Sequence, residues 1–498
     1  MRILLFIFLS LTFVACSSNE SNSSTPNTTA VSTSNTTATS GTQGPIIDSG
    51  TKYGPTKIDV TVEGMSGGNA YLIGMYTDQN YRVDSVGVDR QGRFTFDIKE
   101  GLPAGLYFVV FQDNRNFQLI LDKDQVFSVK TRNNSLGSVE VTGNKASELL
   151  YETRNVETPI NNSLSAVEAQ LREKNPSDSN FENFKAQKER ILAQKKEAFD
   201  KIFNANPGNF FTIFKKAGQN PNVDFTYDEM GEKDMVKYLW DYRQNYWADV
   251  NFNDGRLLRT PVIQNKLKNY INKLTIQHPD SLKISIDFLM NNVMDSPEYY
   301  KYFANWIAIN FEPTETKLMD SQAIYVHMVT NYFTPEKAVW STPAEIQALQ
   351  NRAGEMRQSL VGLAAPDVVS TNPSGQTKSI YEMNQDYIVV YMYNPECEHC
   401  QEETPKLLNY YNQMNKKELG VFAIAIDTDD TKWKNYISKA GIQKWVNVHD
   451  PTNQSIYGKY FVDVTPELYL LNPDRKIIGK NLKTHQVQEM IDMDKNRR

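Results

Sequence analysis

Cysteine is scarce: three residues in a chain of 498, at positions 16, 397 and 400. So few exclude a small scaffold stapled by disulfides, and no second C-x-x-C exists to complete a zinc ribbon. His278, His327, His449 and His485 are scattered without ligand spacing, so no metal site is expected. There is no surplus of positive charge either, with 53 Lys and Arg against 59 Asp and Glu. Nucleic acid is therefore not an expected partner. The apolar run at the start, residues 3–14, is too short to span a bilayer. What remains is a long chain with 40% apolar residues, enough for several domains with ordinary cores.

The two late cysteines sit in the most informative stretch, IVVYMYNPECEHCQEETP, residues 388–405. An apolar run enters a turn at Asn394-Pro395, and helix-forming residues follow Cys397 and Cys400. This pattern predicts a strand, a bend and a helix whose first turn carries the C-x-x-C pair. Exposed backbone N–H groups and the helix dipole stabilise a thiolate at such a place. Cys397, at the mouth of the helix, is the expected attacking thiolate. Cys400, one turn in, is the expected resolving thiol.

These residues resemble the thioredoxin superfamily, and most closely its extracytoplasmic membrane-anchored reductases of cytochrome maturation and their relatives. The resemblance covers residues 361–498. Gly362, Ala365, Pro366 and Asp367 look like the family's G-x-x-A-P-D lead-in, Cys397-Glu398-His399-Cys400 like its redox motif, and Pro405 like the proline of its active-site helix. Val464-Thr465-Pro466 looks like its cis-proline loop, which implies that Thr465 and Pro466 lie against the disulfide and offer backbone to the substrate. Glu403 matches a buried glutamate of some extracytoplasmic reductases, which implies a proton relay for Cys400; it shares a helix face with that cysteine. The other reading of Glu403 is an exposed helix residue beside Glu402. Tyr391 stands where ordinary thioredoxin has a strand aspartate. Glu398 and His399 tune the pair in opposite directions, the carboxylate against a thiolate and an imidazolium for it. No cofactor beyond the Cys397–Cys400 couple is expected. Such couples span roughly −270 to −120 mV, so the motif alone leaves reductant, isomerase and oxidant open.

The start of the chain resembles a bacterial lipoprotein signal. Arg2 is a positive n-region, residues 3–14 the apolar core, and Ala15 precedes Cys16, the expected lipidated N-terminus. The alternative is a plain secretory signal containing a cysteine. Residues 16–54, rich in Ser, Thr and Asn, read as a flexible tether. Ser17 after Cys16 is compatible with outer-membrane sorting.

Residues 55–144 alternate with period two between Gly-rich turns, predicting an antiparallel β sandwich or barrel. Its V-D-x-x-G-R-F-T-F stretch at residues 88–96 resembles an uncharacterised β domain that precedes thioredoxin-like domains in envelope lipoproteins. Residues 145–360 turn helical, with one long amphipathic helix near residues 181–206 pairing with a segment at 164–174. The many aromatics there, such as Tyr238, Trp240, Tyr246 and Trp247, are expected to pack. Residues 361–498 alternate as an α/β unit.

The expected activity is a membrane-anchored thiol–disulfide oxidoreductase, acting as a reductant on protein disulfides in the cell envelope and recharged by a membrane electron donor. Two alternatives stand beside it. One is a binding or assembly lipoprotein with a passive thioredoxin-like platform. The other is a thiol peroxidase, although Asn394 occupies the threonine place of the peroxiredoxin Pro-x-x-x-Thr-x-x-Cys pattern.

Overall fold

The period-two stretch becomes eight strands: β1 Thr56–Glu63, β2 Asn69–Tyr76, β3 Gln79–Gly87, β4 Arg93–Ile98, β5 Gly105–Phe111, β6 Asn116–Leu121, β7 Val126–Arg132 and β8 Ser135–Thr142. The computed structural model describes residues 47–173, 178, 180–223, 226, 234–312 and 318–498. The strands make two four-stranded sheets, ordered β4-β1-β7-β8 and β3-β2-β5-β6. β1 turns Ile58, Val60 and Val62 inward while Lys57, Asp59 and Glu63 face out, as half-buried strands must. The pairing is antiparallel throughout except between β1 and β7, which run parallel. The chain visits the second sheet for β5 and β6 and returns beside β1 in the same direction. In the turn before β4, Asp89 Oδ1 accepts from Gln91 N and Arg93 N at 2.8 Å each. Gly92 has φ +75°, and a Cβ there would stand 2.1 Å from Val62 O, so the Asp and Gly of that motif serve the turn.

Nine helices follow among the described residues: α1 Lys145–Arg172, α2 Phe181–Ala205, α3 Phe210–Ala217, α4 Met235–Asn245, α5 Pro261–Asn269, α6 Pro279–Asn292, α7 Pro297–Asn310, α8 Ser321–Tyr332 and α9 Pro343–Met356. α1 and α2 pair as expected, stitched by Lys188–Glu168 at 2.8 Å and Lys195–Glu157 at 2.9 Å. α1 starts earlier than the expected segment and runs through Pro159. Asn144 caps it and Ser147, Leu149 and Tyr151 anchor its first turns on the sandwich. Tyr246, Trp247, Tyr270 and Phe303 are buried in one core, whereas Trp240 on α4 is exposed.

Residues 47–54 depart from the tether expected over residues 16–54. Ile47 N donates to Asn253 O and Gly255 N to Ile47 O, both at 2.7 Å, and the buried Ser49 donates to Glu298. Ile47 pairs its backbone and Ser49 its polar groups, so this end of the polar stretch is held by the helical region. Cys16 and residues 1–46 lie outside the described residues.

The last part contains β9 Val369–Thr371, β10 Thr377–Ser379, β11 Tyr387–Tyr393, α10 Glu398–Gln413, β12 Leu419–Ile426, α11 Asp430–Ala440, β13 Val446–Asp450, α12 Gln454–Tyr460, β14 Glu467–Leu471, β15 Ile477–Gly479 and α13 Val487–Arg497. Its sheet is ordered β13-β12-β11-β14-β15, with β11, β12 and β13 parallel and β14 and β15 antiparallel. Every residue of β11 and β12 is buried, because helices cover both faces. β13 escaped the sequence reading since Asn447 and His449 interrupt its apolar pattern. Their side chains bond to carbonyls of Ile442, Trp445 and Thr428.

Candidate active site

β11 emerges from the sheet centre at Tyr393, and Asn394 turns the chain. Its Oδ1 accepts from Glu396 N at 2.8 Å, its carbonyl from Cys397 N at 3.1 Å, and its Nδ2 donates to Asp427 O at 3.0 Å. That ties the turn to the end of the neighbouring strand. Cys397 then occupies the cap position of α10 in extended conformation, and its Sγ accepts from Cys400 N at 3.2 Å. A sulfur here does what Ser or Asp does at other helix starts: it faces unpaired N–H groups.

Both cysteines are free thiols; Cys397 is half-buried and Cys400 fully buried. Burial pushes the Cys397 thiol up, but hydrogen bonds from Cys400, from Thr465 and from the backbone N–H groups of Cys400 and His399 outweigh it, leaving the group below its ordinary value. Burial and the bond to Cys397 push Cys400 up to about 12. One sulfur is thus prepared to ionise and the other to stay protonated, a division set by which atom faces the helix mouth.

The Thr465–Pro466 bond is cis, and Cys397 Sγ lies 3.2 Å from Thr465 O. Thr465 therefore stands directly against the outer sulfur, with Pro466 next to it in the chain. Glu398 and His399 are exposed, His399 Nδ1 being 3.9 Å from Glu402. His399 acts on Cys397 through its backbone N–H.

Glu403 is buried at 7% exposure, so the alternative of a plain exposed helix residue does not hold. Its Oε1 accepts from Thr484 N at 2.9 Å and Thr484 Oγ1 at 2.7 Å, and its Oε2 from Lys406 Nζ at 3.2 Å. Burial raises its carboxyl, but these bonds outweigh it and keep it below the ordinary range. Tyr391, in place of the strand aspartate, has its hydroxyl 2.9 Å from Thr404 Oγ1, which also accepts from Tyr436 at 2.9 Å. Tyr436 also donates to Cys400 O at 3.3 Å. The Tyr391 hydroxyl, its own acidity suppressed chiefly by burial, feels both the Cys400 sulfur and the Glu403 carboxylate. Thr404, Tyr436 and Thr484 were missed from sequence because no motif marks them. Only the fold brings α11 and the segment before α13 against α10.

Among the described residues no group of three or more His, Cys, Asp or Glu side chains could hold a metal ion. No described helix is long and apolar enough to cross a membrane.

Residues 384–477 match a family model described as thioredoxin-like. Residues 56–150 and 186–343 match two domains of unknown function, DUF4369 and DUF5106. The thiol-disulfide oxidoreductases ResA of Bacillus thuringiensis (strain Al Hakam) and of Bacillus anthracis are each 23% identical over 132 residues, 26% of this chain and 75% of theirs. A thioredoxin-like protein from Bacteroides caccae aligns in structure at 19% identity over 55% of this chain and 98% of its own, with a TM-score of 0.46. A thiol-disulfide oxidoreductase from Bacteroides fragilis aligns at 23% identity over 26% of this chain and 98% of its own, with a TM-score of 0.24.

Proposed function

We propose, from the premise that the C-terminal domain of this chain belongs to the thioredoxin superfamily, that the protein is a thiol–disulfide oxidoreductase reducing protein disulfides through Cys397 and Cys400. The observation that carries this is the asymmetry of the pair: an accessible sulfur at the helix mouth with a lowered pKa, and a buried partner one turn in with a raised one. The Cys397 thiolate attacks a substrate disulfide, forming a Cys397–substrate bond as the substrate S–S bond breaks and one substrate thiolate leaves. Cys400 then loses its proton and attacks the Cys397 sulfur. The second substrate thiolate leaves, two electrons have passed to the substrate, and Cys397–Cys400 is a disulfide. Thr465 and Pro466 present backbone to the docked substrate. No other cofactor is needed.

Glu403 takes the Cys400 proton; the Tyr391 hydroxyl, which feels both groups, lies beside the two. An ionised carboxylate accepts a proton but does not donate one, so the relay suits the step in which Cys400 attacks. Cys16 carries a lipid anchor and residues 17–46 a tether to the outer membrane, and a membrane electron donor returns the couple to the dithiol. The peroxidase and passive-platform readings gain nothing comparable. The turn offers Asn394 rather than a hydroxyl beside Cys397, and a passive platform needs no activated thiol.

The test is the equilibrium potential of the couple in a glutathione or dithiothreitol series, together with insulin reduction. A value near about −270 mV with turnover supports a reductant; one at or above about −180 mV makes it an isomerase or oxidant.

A further inference from the structure

The loop that faces Cys397, residues 461–466 between α12 and β14, is gripped at its entry by side chains from the helical region, and its exit adjoins a buried lysine of the last domain that the helical region holds. At its entry Phe461 is 1% exposed and packs with Tyr325, Val326 and Val329 of α8 and Ala353 and Met356 of α9. Its φ of +53° is one that a bulky residue rarely adopts. Apart from Tyr457 of α12, whose ring centroid lies 5.0 Å away, the side chains packed around it belong to the helical region. Ser359, just after α9, donates to Tyr460 O at 3.3 Å, one residue before.

At the exit Glu467 is buried, and the cation whose field reaches it is Lys480, itself 0% exposed. Lys480 Nζ donates to Gln322 Oε1 of α8 at 2.5 Å and to Ser359 O at 3.0 Å, and lies 3.7 Å from Asp320 Oδ1. Asp320 Oδ2 in turn accepts from Val361 N at 2.9 Å. Between these clamps the apex is open: Asp463 and Val464 are exposed, and Thr465 O touches the Cys397 sulfur. A six-residue bridge fixed at both feet cannot drift from the sulfur that it faces.

We propose that the helical region positions the cis-proline loop, so that Gln322 on α8 and the α8–α9 pocket around Phe461 set how a protein disulfide docks at Cys397. This rests on the reading of the site as a disulfide-exchange centre, and it assigns Gln322, Phe461 and Lys480 as positioning residues. It also gives the helical region a part in catalysis although it contributes no atom to the reaction.

Two variants of the full chain test it. Phe461→Gly keeps the left-handed backbone and releases the entry foot, while Gln322→Leu removes one ligand of Lys480 at the exit foot. The first readout is the pH profile of Cys397 alkylation by iodoacetamide in the dithiol form. Displacing the Thr465 side chain, whose hydrogen bond lowers the thiol pKa, moves the profile to higher pH and cuts the rate at neutral pH by about threefold or more. The second is reduction of a peptide disulfide, with KM raised about fivefold and kcat within about twofold. Folded variants that keep the wild-type profile and KM overturn the proposal. If Phe461→Gly does not fold, Gln322→Leu decides alone. If the wild-type chain reduces no disulfide, the functional reading falls, and the alkylation profile still decides whether the helical region positions the loop.

Discussion

A single sulfur at a helix start behaves differently from the same atom one turn deeper, and that difference yields the first prediction. Cys400→Ser traps a mixed disulfide between Cys397 and a protein substrate, whereas Cys397→Ser forms none; mass spectrometry under non-reducing conditions reads both. In the wild-type dithiol, iodoacetamide modifies one thiol per chain at pH 8, because Cys400 titrates only near about 12. Glu403→Gln slows release of the mixed disulfide by about a hundredfold, the low end of general-base effects, measured by stopped-flow mixing. The same variant has a stability signature. The Glu403 pKa is lowered in the fold, so its contribution is present above the unfolded carboxylate range near about 4.3 and is lost as pH falls through the folded value. The Tm gap between wild type and Glu403→Gln therefore narrows in acid.

At the scale of elements, the lead-in motif before the sheet acts as structure. The Asp367 carboxylate accepts from Ser379 Oγ at 2.9 and 2.8 Å and from Ile380 N at 3.1 Å. Lys459 Nζ donates to Asp367 O at 2.7 Å, and Tyr460 to Pro366 O at 2.5 Å. The motif thus pins the segment entering the domain to β10 and α12. Asp367→Ala is expected to cost about 2 kcal/mol, the size of charge-assisted bonds lost, seen in urea unfolding. The alkylation profile of Cys397 stays unchanged, since no atom of this cluster reaches the thiol.

Across the whole molecule, buried charges join regions far apart in sequence. Arg256 holds Asp254 at 2.6 Å and reaches Asp122, just after β6, at 3.0 Å, joining the helical region to the sandwich. Lys480, with Asp320 and Gln322, does the same between the helical region and the sheet of the last domain. Glu467 completes that second cluster, and burial raises its carboxyl to about 8 despite Lys480. A raised carboxyl stabilises fully below its unfolded value and loses that contribution as pH rises through the folded one. Wild type should therefore lose stability between about pH 5 and about pH 7.5, while Glu467→Gln, which stays neutral, loses less. Calorimetric Tm values at the two pH values check it. The opposite trend, a variant that falls faster than wild type, would mean that the ionised carboxylate is the stabilising form.

Local chemistry was legible in the sequence because it depends on neighbours along the chain. The apolar run, the Asn394-Pro395 turn and the helix with two cysteines in its first turn need only residues 388–405 to specify them. The alternation of the sandwich and the period of α2 are local in the same sense. Illegible were the parts whose cause lies elsewhere in the chain: β13, whose polar residues find partners only after folding, and the parallel β1–β7 pair. The holding of Ile47 and Ser49 by residues near 253 and 298 belongs with them. The site divides along the same line. Cys397 and Cys400 could be named from spacing, since a helix start makes one sulfur outer and the other inner. Thr484 beside Glu403, Thr404 and Tyr436 around Cys400, and the clamps on the loop at Thr465 arise from contacts 32 to 158 residues apart. The sequence by itself determined the thiol chemistry and the element types, which follow from spacing and periodicity. Only the tertiary structure decided that Glu403 is buried, what holds it charged and what keeps the loop against the sulfur, because burial and long-range hydrogen bonds exist only once the chain has packed.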